Sequence, residues 1–445
     1  MNKKQKMRTT NFFILCLFLA AIIGNAQDVL TKEAALKIAL ENNFDIQIAN
    51  KSVEIAKNNT SIINGGYLPS VSANASSRYT INTGEAEFNN GNFNAVSKAK
   101  SDRNNASLDV GYSNVNIYGL IQNLKKLKQQ YNLSELQAKL VMENTLQTLF
   151  FAYYEVARLS ENLRVQKKNY EISQKRLERV KLGFEYGQQT KLDLLNAEVD
   201  VNKDKVNLLE SERTLNNAKR DLNIVLGRDV ETAVEVEGNV SYIFGLNKNK
   251  LLIAAKNNNT QISQQNKAIE LSEFDVKISK SGWMPSVSLT GSYAWSKNNF
   301  DQTSQLVYNL NKGINYGVGL SWNIFDAGRS VNNVRNAKIT LDSKKVEREK
   351  SLASLEKEVG NSWQNYQNLL AVLKLQKTNL EVNELNYQRS EEYFKLGQIN
   401  SIDYRQAQLN LLNAELSLNA AKYNAKNAEL QLLKLSGGLL ENKNF

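Results

Sequence analysis

The chain has 445 residues, with 56 lysines and arginines against 45 aspartates and glutamates, giving a formal net charge of +11. It contains no histidine and a single cysteine, Cys16. These counts exclude an imidazole-assisted nucleophile, a zinc site built from cysteine and histidine and a disulfide framework.

The remaining chemistry-bearing patterns are also missing from the sequence. Lysines alternate with glutamates along helical stretches, which is typical of solvated helix surface and gives no concentrated basic patch for nucleic acid. No phosphate-binding Gly-x-x-x-x-Gly-Lys-Ser/Thr loop occurs. We therefore expect no enzyme, no cofactor, no metal site and no nucleic-acid partner.

Residues 1–26 have the pattern of a signal peptide. A basic segment ending at Arg8 precedes a mostly apolar stretch, residues 11–23, and small residues at Gly24 and Ala26 suit cleavage after Ala26. The alternative is an N-terminal membrane anchor, but the apolar run is too short to span comfortably. Cys16 follows Leu15 where a lipoprotein signal needs a small residue, so we expect no acylated terminus.

The rest of the chain is predicted to be two copies of one unit, residues 27–240 and 241–445. The two prolines lie in matching phrases, Pro69-Ser-Val-Ser and Pro285-Ser-Val-Ser. The same spacing of 216 residues pairs Asn42-Asn43 with Asn258-Asn259. Further on the spacing falls to 210, which pairs Asp193 with Asp403.

Each copy begins with a helical stretch, at about residues 31–64 and 249–280, which proline ends. After Pro69 and Pro285, apolar and polar residues alternate, which predicts a strand with one apolar face. A second strand follows at residues 108–117 and 314–324, and the first of these slips phase near Ser113. The polar, Asn-rich connections at 82–105 and 297–313 are predicted to be long exposed loops.

A long helix follows each strand pair, at residues 120–182 and 329–396, with apolar residues recurring at three and four positions. Each helix ends in a short turn, at Gly187 and at Gly397. Return helices then run to Leu226 and Leu435.

Four strands of about ten residues each match the length of tilted membrane-crossing strands, but four are too few to close a barrel. Unpaired strand edges are not tolerated in hydrocarbon. Several copies of the whole chain are therefore expected to contribute their strands to one barrel. Aromatic side chains in or beside the strands suit a membrane interface; they are Tyr79, Tyr112, Tyr118, Trp283, Tyr293, Trp295, Tyr316, Trp322 and Phe325. The alternative is a soluble sandwich core.

The sequence resembles the TolC family of outer-membrane efflux proteins over almost all of residues 27–445. Three features carry the resemblance: the duplicated strand entry at Pro69 and Pro285, the phrase Asn-Ile-Phe-Asp-Ala-Gly-Arg at 323–329, and the paired turns at 186–197 and 396–403.

The resemblance implies an α+β membrane protein: a homotrimer whose twelve-stranded transmembrane β-barrel takes four strands from each chain. A long periplasmic α-helical barrel would continue this channel to a gated tip. There a periplasmic adaptor and an inner-membrane pump of the RND or ABC type would dock. The outer membrane supplies the lipid around the barrel.

The tip residues are the candidate functional residues. Glycine at 187 and 397 allows a tight helix reversal, while Thr190 and Asn400 are expected to cap the return helices. Asp193 and Asp403 suit the positive helix N-terminus. By resemblance, Asp403 corresponds to a gate acid and Asp193 to an acid that ties the closed gate, and three copies would form cation-attracting rings.

The sequence departs from the family pattern at four positions. Gln406 replaces a second acid, Phe394 replaces a gate tyrosine, and Asn116 and Asn323 replace prolines at the strand-to-helix switch. A hydroxyl link from position 394 therefore cannot form.

Two alternatives stay open at the level of sequence. A periplasmic coiled-coil adaptor or scaffold that never enters the membrane would also have long antiparallel helices. A channel could export polypeptides, metal ions or small molecules, and the sequence does not separate these cargoes.

Overall fold

The computed structural model describes residues 29–87, 89, 91, 93–301 and 306–439. The expected signal peptide, residues 1–26, lies outside the described residues. The described chain divides into two compact units. Unit 1 comprises residues 29–51, 137–263 and 350–439, and unit 2 comprises residues 52–136 and 264–349. Each unit therefore contains segments from both predicted copies.

Unit 2 holds a four-stranded antiparallel sheet in the order β1-β2-β3-β4. The strands are β1 (Ser70–Glu87), β2 (Phe93–Val115), β3 (Ser286–Asn299) and β4 (Tyr308–Ser321). β1 begins directly after Pro69 and β3 directly after Pro285, as the alternation predicted. The pairing of β2 with β3 shifts register between Tyr112 and Val115, where the sequence pattern slips phase.

The prediction that residues 82–105 and 297–313 form long loops was wrong. Most of their residues are strand, because β1 continues to Glu87 and β2 already begins at Phe93. Asn-rich, polar sequence is unfavourable for a soluble strand, but continuous backbone pairing overrides this preference. A register shift between Asn82 and Gly84 lets the hairpin extend further.

The helices follow the predicted order in both copies. In chain order they are α1 (Lys32–Asn42), α2 (Phe44–Asn59), α3 (Ile117–Glu185), α4 (Lys191–Leu226), α5 (Lys248–Asn258), α6 (Thr260–Ser279), α7 (Arg329–Lys395) and α8 (Ser401–Leu435). The long helices α3 and α7 and the return helices α4 and α8 end within a few residues of the predicted positions.

Each predicted first helix is in fact two helices, broken at Asn43 and again at Asn259. The Asn43 side chain accepts hydrogen bonds from the N–H groups of the next turn and donates to Val225 O at 2.8 Å. Asn259 does the same and donates to Leu435 O at 3.1 Å. In both repeats an asparagine thus caps the following helix, α2 or α6, and donates a hydrogen bond to a free carbonyl at the end of a return helix, α4 or α8.

The main apolar core of unit 1 lies around α3, α4 and α8. Tyr153 is fully buried there and donates to Leu30 O at 2.7 Å, while Glu237 N donates back to its hydroxyl at 3.0 Å. Tyrosine suits this place because its ring fills the core and its hydroxyl satisfies the peptide groups of two chain segments.

Candidate functional site at the helical turns

The two turns that join the long helices to the return helices have the same backbone geometry. Gly187 and Gly397 both have φ +73, a left-handed conformation that favours glycine. Gln188 N donates to Gly183 O at 2.7 Å, and Gln398 N donates to Tyr393 O at 2.8 Å. These bonds close each helix end.

The capping residues predicted from sequence are confirmed. Thr190 Oγ1 accepts from Asp193 N at 3.1 Å, and Thr190 N donates to Asp193 Oδ2 at 3.0 Å, which completes a capping box. Asn400 Oδ1 accepts from Ile402 N at 2.9 Å and Asp403 N at 2.8 Å. Two hydrogen bonds from Thr190 hold the pKa of Asp193 below its ordinary value; the bond from the Thr190 side chain has the larger effect and the bond from its backbone N–H the smaller.

Apolar side chains lie exposed on both sides of each turn. Tyr186 and Leu192 flank the first turn with 78% and 66% of their surface exposed, and Leu396 and Ile402 flank the second with 70% and 62% exposed. Large exposed apolar side chains at matching positions of two turns indicate an interaction surface.

Phe394, which the resemblance places where relatives often carry a tyrosine, is buried beneath the second turn. Its ring stacks on Tyr404 with centroids 4.7 Å apart, and the Arg179 guanidinium lies 5.5 Å from its centroid. Tyr387 and Tyr404 share a hydroxyl–hydroxyl hydrogen bond of 2.8 Å. The hydroxyl contact in this cluster therefore comes from residues that the sequence did not single out.

Two buried arginines bind acidic residues of α4. Arg176 on α3 is paired with Asp200 and also donates to Ser401 O at 3.3 Å. Arg405 on α8 donates to both carboxylate oxygens of Asp204, at 2.7 and 2.8 Å. These pairs connect the first-copy helices α3 and α4 to the second-copy helix α8.

Neutral side chains extend this buried network. Ser173 Oγ donates to Asp204 and accepts from Arg405 Nη1 at 3.0 Å. Gln408 Nε2 donates to Ser173 Oγ at 2.9 Å and to Asn169 Oδ1 at 2.8 Å. Buried charge is tolerated only where partners of this kind surround it.

Sequence reasoning missed this network because charged residues in a helix normally lie on its solvated face. The sequence carried one signal for this network, the position of the polar residues along α8. Arg405 and Gln408 lie at helical spacing within the buried stripe that contains Tyr404, Leu411 and Leu412. A charged residue within an apolar stripe predicts a buried partner.

Asn116, which the resemblance places where relatives often carry a proline, lies between β2 and α3 in unit 2 and holds this connection by hydrogen bonds. Its Oδ1 accepts from Gly119 N at 2.8 Å, and its Nδ2 donates to Ser281 O at 3.0 Å. An asparagine can therefore cap α3 and bind the chain that leads into β3, whereas proline can do neither through its side chain.

Among the residues that the structure describes, no helix is both long and apolar enough to cross a membrane.

Long helix pairs with capped turns in one unit, and an antiparallel sheet with one apolar face in the other, define the class of the protein as an outer-membrane channel. The chain belongs to the outer membrane efflux protein family, whose model matches residues 35–228 and 251–438. The protein is located in the outer membrane and extends into the periplasm. A periplasmic adaptor or scaffold is not favoured.

Relatives and solved structures agree with this assignment. The chain is 23% identical over 413 residues to the probable outer membrane lipoprotein SilC of Salmonella typhimurium, covering 90% of this chain and 84% of that protein. It is 22% identical to the cation efflux system protein CusC of Escherichia coli K12, covering 90% and 85%. The CmeC outer membrane channel of Campylobacter jejuni matches with a TM-score of 0.71 and 19% identity, over 92% of this chain and 86% of that one.

Proposed function

We propose that three copies of the chain form one channel, with each copy giving four strands to a shared barrel. The supporting observation is the sheet order β1-β2-β3-β4, which leaves β1 and β4 as edges. Apolar side chains on one face are exposed, namely Val71, Tyr79, Tyr293, Ile314, Tyr316, Val318 and Leu320. Such a face needs lipid, and unpaired edges in lipid need neighbouring strands.

Engineered disulfides between the two edge strands test the proposal. Within one chain, β1 and β4 are separated by two strands, so their backbones are about 14 Å apart. This exceeds the limit of about 7 Å between Cα atoms that a disulfide can bridge. Any disulfide between β1 and β4 must therefore join two separate chains.

The experiment places Ala73→Cys on β1 and scans cysteine over the apolar positions of β4 at Ile314, Tyr316 and Val318. The only native cysteine lies in the expected signal peptide. Oxidation in native membranes should give covalent species that end at the trimer for at least one pair, and the single-cysteine variants are the controls. Monomers for every pair would contradict a shared barrel.

The two turns, at Gly187 and Gly397, are proposed to form the periplasmic tip of the channel. Asp193 and Asp403 occupy corresponding positions, and in a trimer they form rings of carboxylates that attract cations and constrict the periplasmic entrance. Gly187 and Gly397 permit the reversals, and Thr190 and Asn400 hold the aspartates at the first turn of each return helix. Phe394 anchors the second turn through Tyr404.

The proposed partners are a periplasmic adaptor and an inner-membrane pump of the RND or ABC type. The exposed pairs Tyr186–Leu192 and Leu396–Ile402 flank the turns where an adaptor's helices would pack. The channel performs no chemistry and needs no cofactor, because the pump supplies the energy.

The domain organisation that accompanies this function is a duplication, with copies at residues 27–240 and 241–445. Two separate matches to one family model and the repeated order of elements support it. The duplication lets one chain supply two strand pairs and two helical turns.

A further inference from the structure

The polar face of the sheet carries very few charges. From Ser70 to Asn82 on β1, and across the residues paired to them on β2, β3 and β4, the charged side chains on this face are Arg78, Arg103 and Asp109. Asp109 accepts hydrogen bonds from Asn74, Ser107 and Ser292. These donors are neutral, so Asp109 keeps its charge, but its carboxylate is fully engaged six residues along β2 from Arg103. The two arginines are the positive charges of this face and outnumber the single acid.

Arg78 and Arg103 lie directly opposite each other in the register of β1 and β2. Like charges at such a pair are destabilising, since their Cβ atoms are only about 5 Å apart. Within the described part of the chain, neither guanidinium forms an ion pair; Arg103 packs over the Phe300 ring at 5.7 Å. No ion pair among the described residues offsets the repulsion between the two guanidinium groups, which indicates that these arginines serve a role other than stability.

The neighbouring acids do not neutralise this pair. Asp102 is adjacent to Arg103 in sequence and therefore lies on the opposite face of the strand, and Asp301 accepts from Lys100 N at 3.3 Å. The hairpin residues outside the described chain include no acid: they are Phe88, Asn90, Asn92 and residues 302–305 (Gln-Thr-Ser-Gln).

We propose that Arg78 and Arg103 of three chains form a belt of six guanidinium groups in the lumen, where it binds anionic groups of the passing cargo. The inference rests on the proposed trimer, in which the polar face lines the lumen and the apolar face meets lipid. The belt lies near the middle of β1 and β2, level with the end of β3, where Arg103 pairs with Asn298.

Guanidinium groups suit phosphate and carboxylate, because their planar donors form paired, charge-assisted hydrogen bonds with these anions. Rings of arginine or lysine are the usual lining of anion pores. The belt therefore assigns phosphate- or carboxylate-bearing compounds to the cargo.

The test is titration calorimetry of inorganic tripolyphosphate into the detergent-solubilised protein at low ionic strength, where the Debye length is about 10 Å or more. The wild-type protein should bind, and R78Q/R103Q should lose about tenfold or more in affinity. R78K/R103K, which keeps the charge, should lose less. Lys297→Gln is the matched control, since Lys297 pairs with Asn104 on the opposite face and should leave affinity unchanged.

Equal binding by wild type and R78Q/R103Q, or no binding by wild type, would overturn the belt. If R78Q/R103Q does not assemble, the single variants R78Q and R103Q are titrated, and unchanged affinity in both also overturns it. A separate mass measurement on the wild-type protein shows whether it is a trimer, so failure of the proposed assembly is distinguished from failure of the belt.

Discussion

Arg405 and Asp204 form a bidentate ion pair in which the arginine side chain is 7% exposed and the aspartate side chain 1%. The pair binds α8, from the second copy, to α4, from the first. The return helices are thus held together by a contact that exists only when both copies are folded. Ser173 on α3 extends the contact to a third helix.

Removing one partner of this pair should be costly. Asp204→Asn removes the bidentate counter-ion of the buried Arg405 and leaves only Asp200, 3.7 Å from Arg405 Nε, as a carboxylate partner. The expected loss of unfolding free energy is about 3 kcal/mol, the low end for a broken buried pair. Chemical denaturation of the detergent-solubilised protein measures it. Glu210→Gln, which removes an exposed pair with Arg213 on the same helix, is the control and should have little effect. Equal effects of the two substitutions would contradict a structural role for the buried pair.

The turn acids should control ion passage at the tip. Asp193→Asn together with Asp403→Asn removes the charges but keeps acceptors at the helix N-termini, so the caps survive. Single-channel recording should then show weaker cation selectivity and a higher conductance. Asp221→Ala, at an exposed acid of α4 away from the turn, should leave both unchanged. Unaltered selectivity in the double variant would remove these aspartates from the gate.

The apolar face of β4 should not tolerate charge. Val318→Arg places a cation against lipid and is expected to cost about 2–4 kcal/mol near the middle of the bilayer. Assembly into the outer membrane, followed by native electrophoresis of membrane extracts, should fall sharply. Asn315→Arg lies on the polar face of the same strand and should assemble. If both variants assemble normally, the face containing Val318 does not meet lipid.

Glu143 should make stability depend on pH. Burial raises the pKa of its carboxyl above the ordinary value of 4.5, although Thr260 Oγ1 donates to it at 2.6 Å. A raised folded-state pKa means that protonation favours folding, so this contribution is complete below pH 4.5 and is lost as pH rises through the folded-state pKa. Glu143→Gln should therefore raise Tm at neutral pH relative to wild type and have little effect below pH 4.5. A lower Tm at neutral pH would contradict it.

Periodicity and the internal repeat predicted most of this fold, because each helix and strand has a strong local pattern. The ends of α3, α4, α7 and α8 were predicted within a few residues, and Thr190 and Asn400 were predicted as caps. The breaks at Asn43 and Asn259 were not, since they depend on carbonyl groups at the distant ends of α4 and α8.

The site was less predictable, because its chemistry is tertiary. Arg405 becomes a buried charge only through Asp204 and Ser173, which come from two other helices. The extended β1–β2 hairpin was also missed, since paired backbone stabilises a polar strand that local propensity disfavours.

The location and mass of the native complex test most directly whether the protein is a trimeric channel in the outer membrane. Cell envelopes are fractionated, extracted in mild detergent and analysed by light scattering that separates protein from detergent mass. The expected result is a complex of three chains in the outer-membrane fraction. A monomer released in the soluble periplasmic fraction would contradict the channel and favour a periplasmic scaffold.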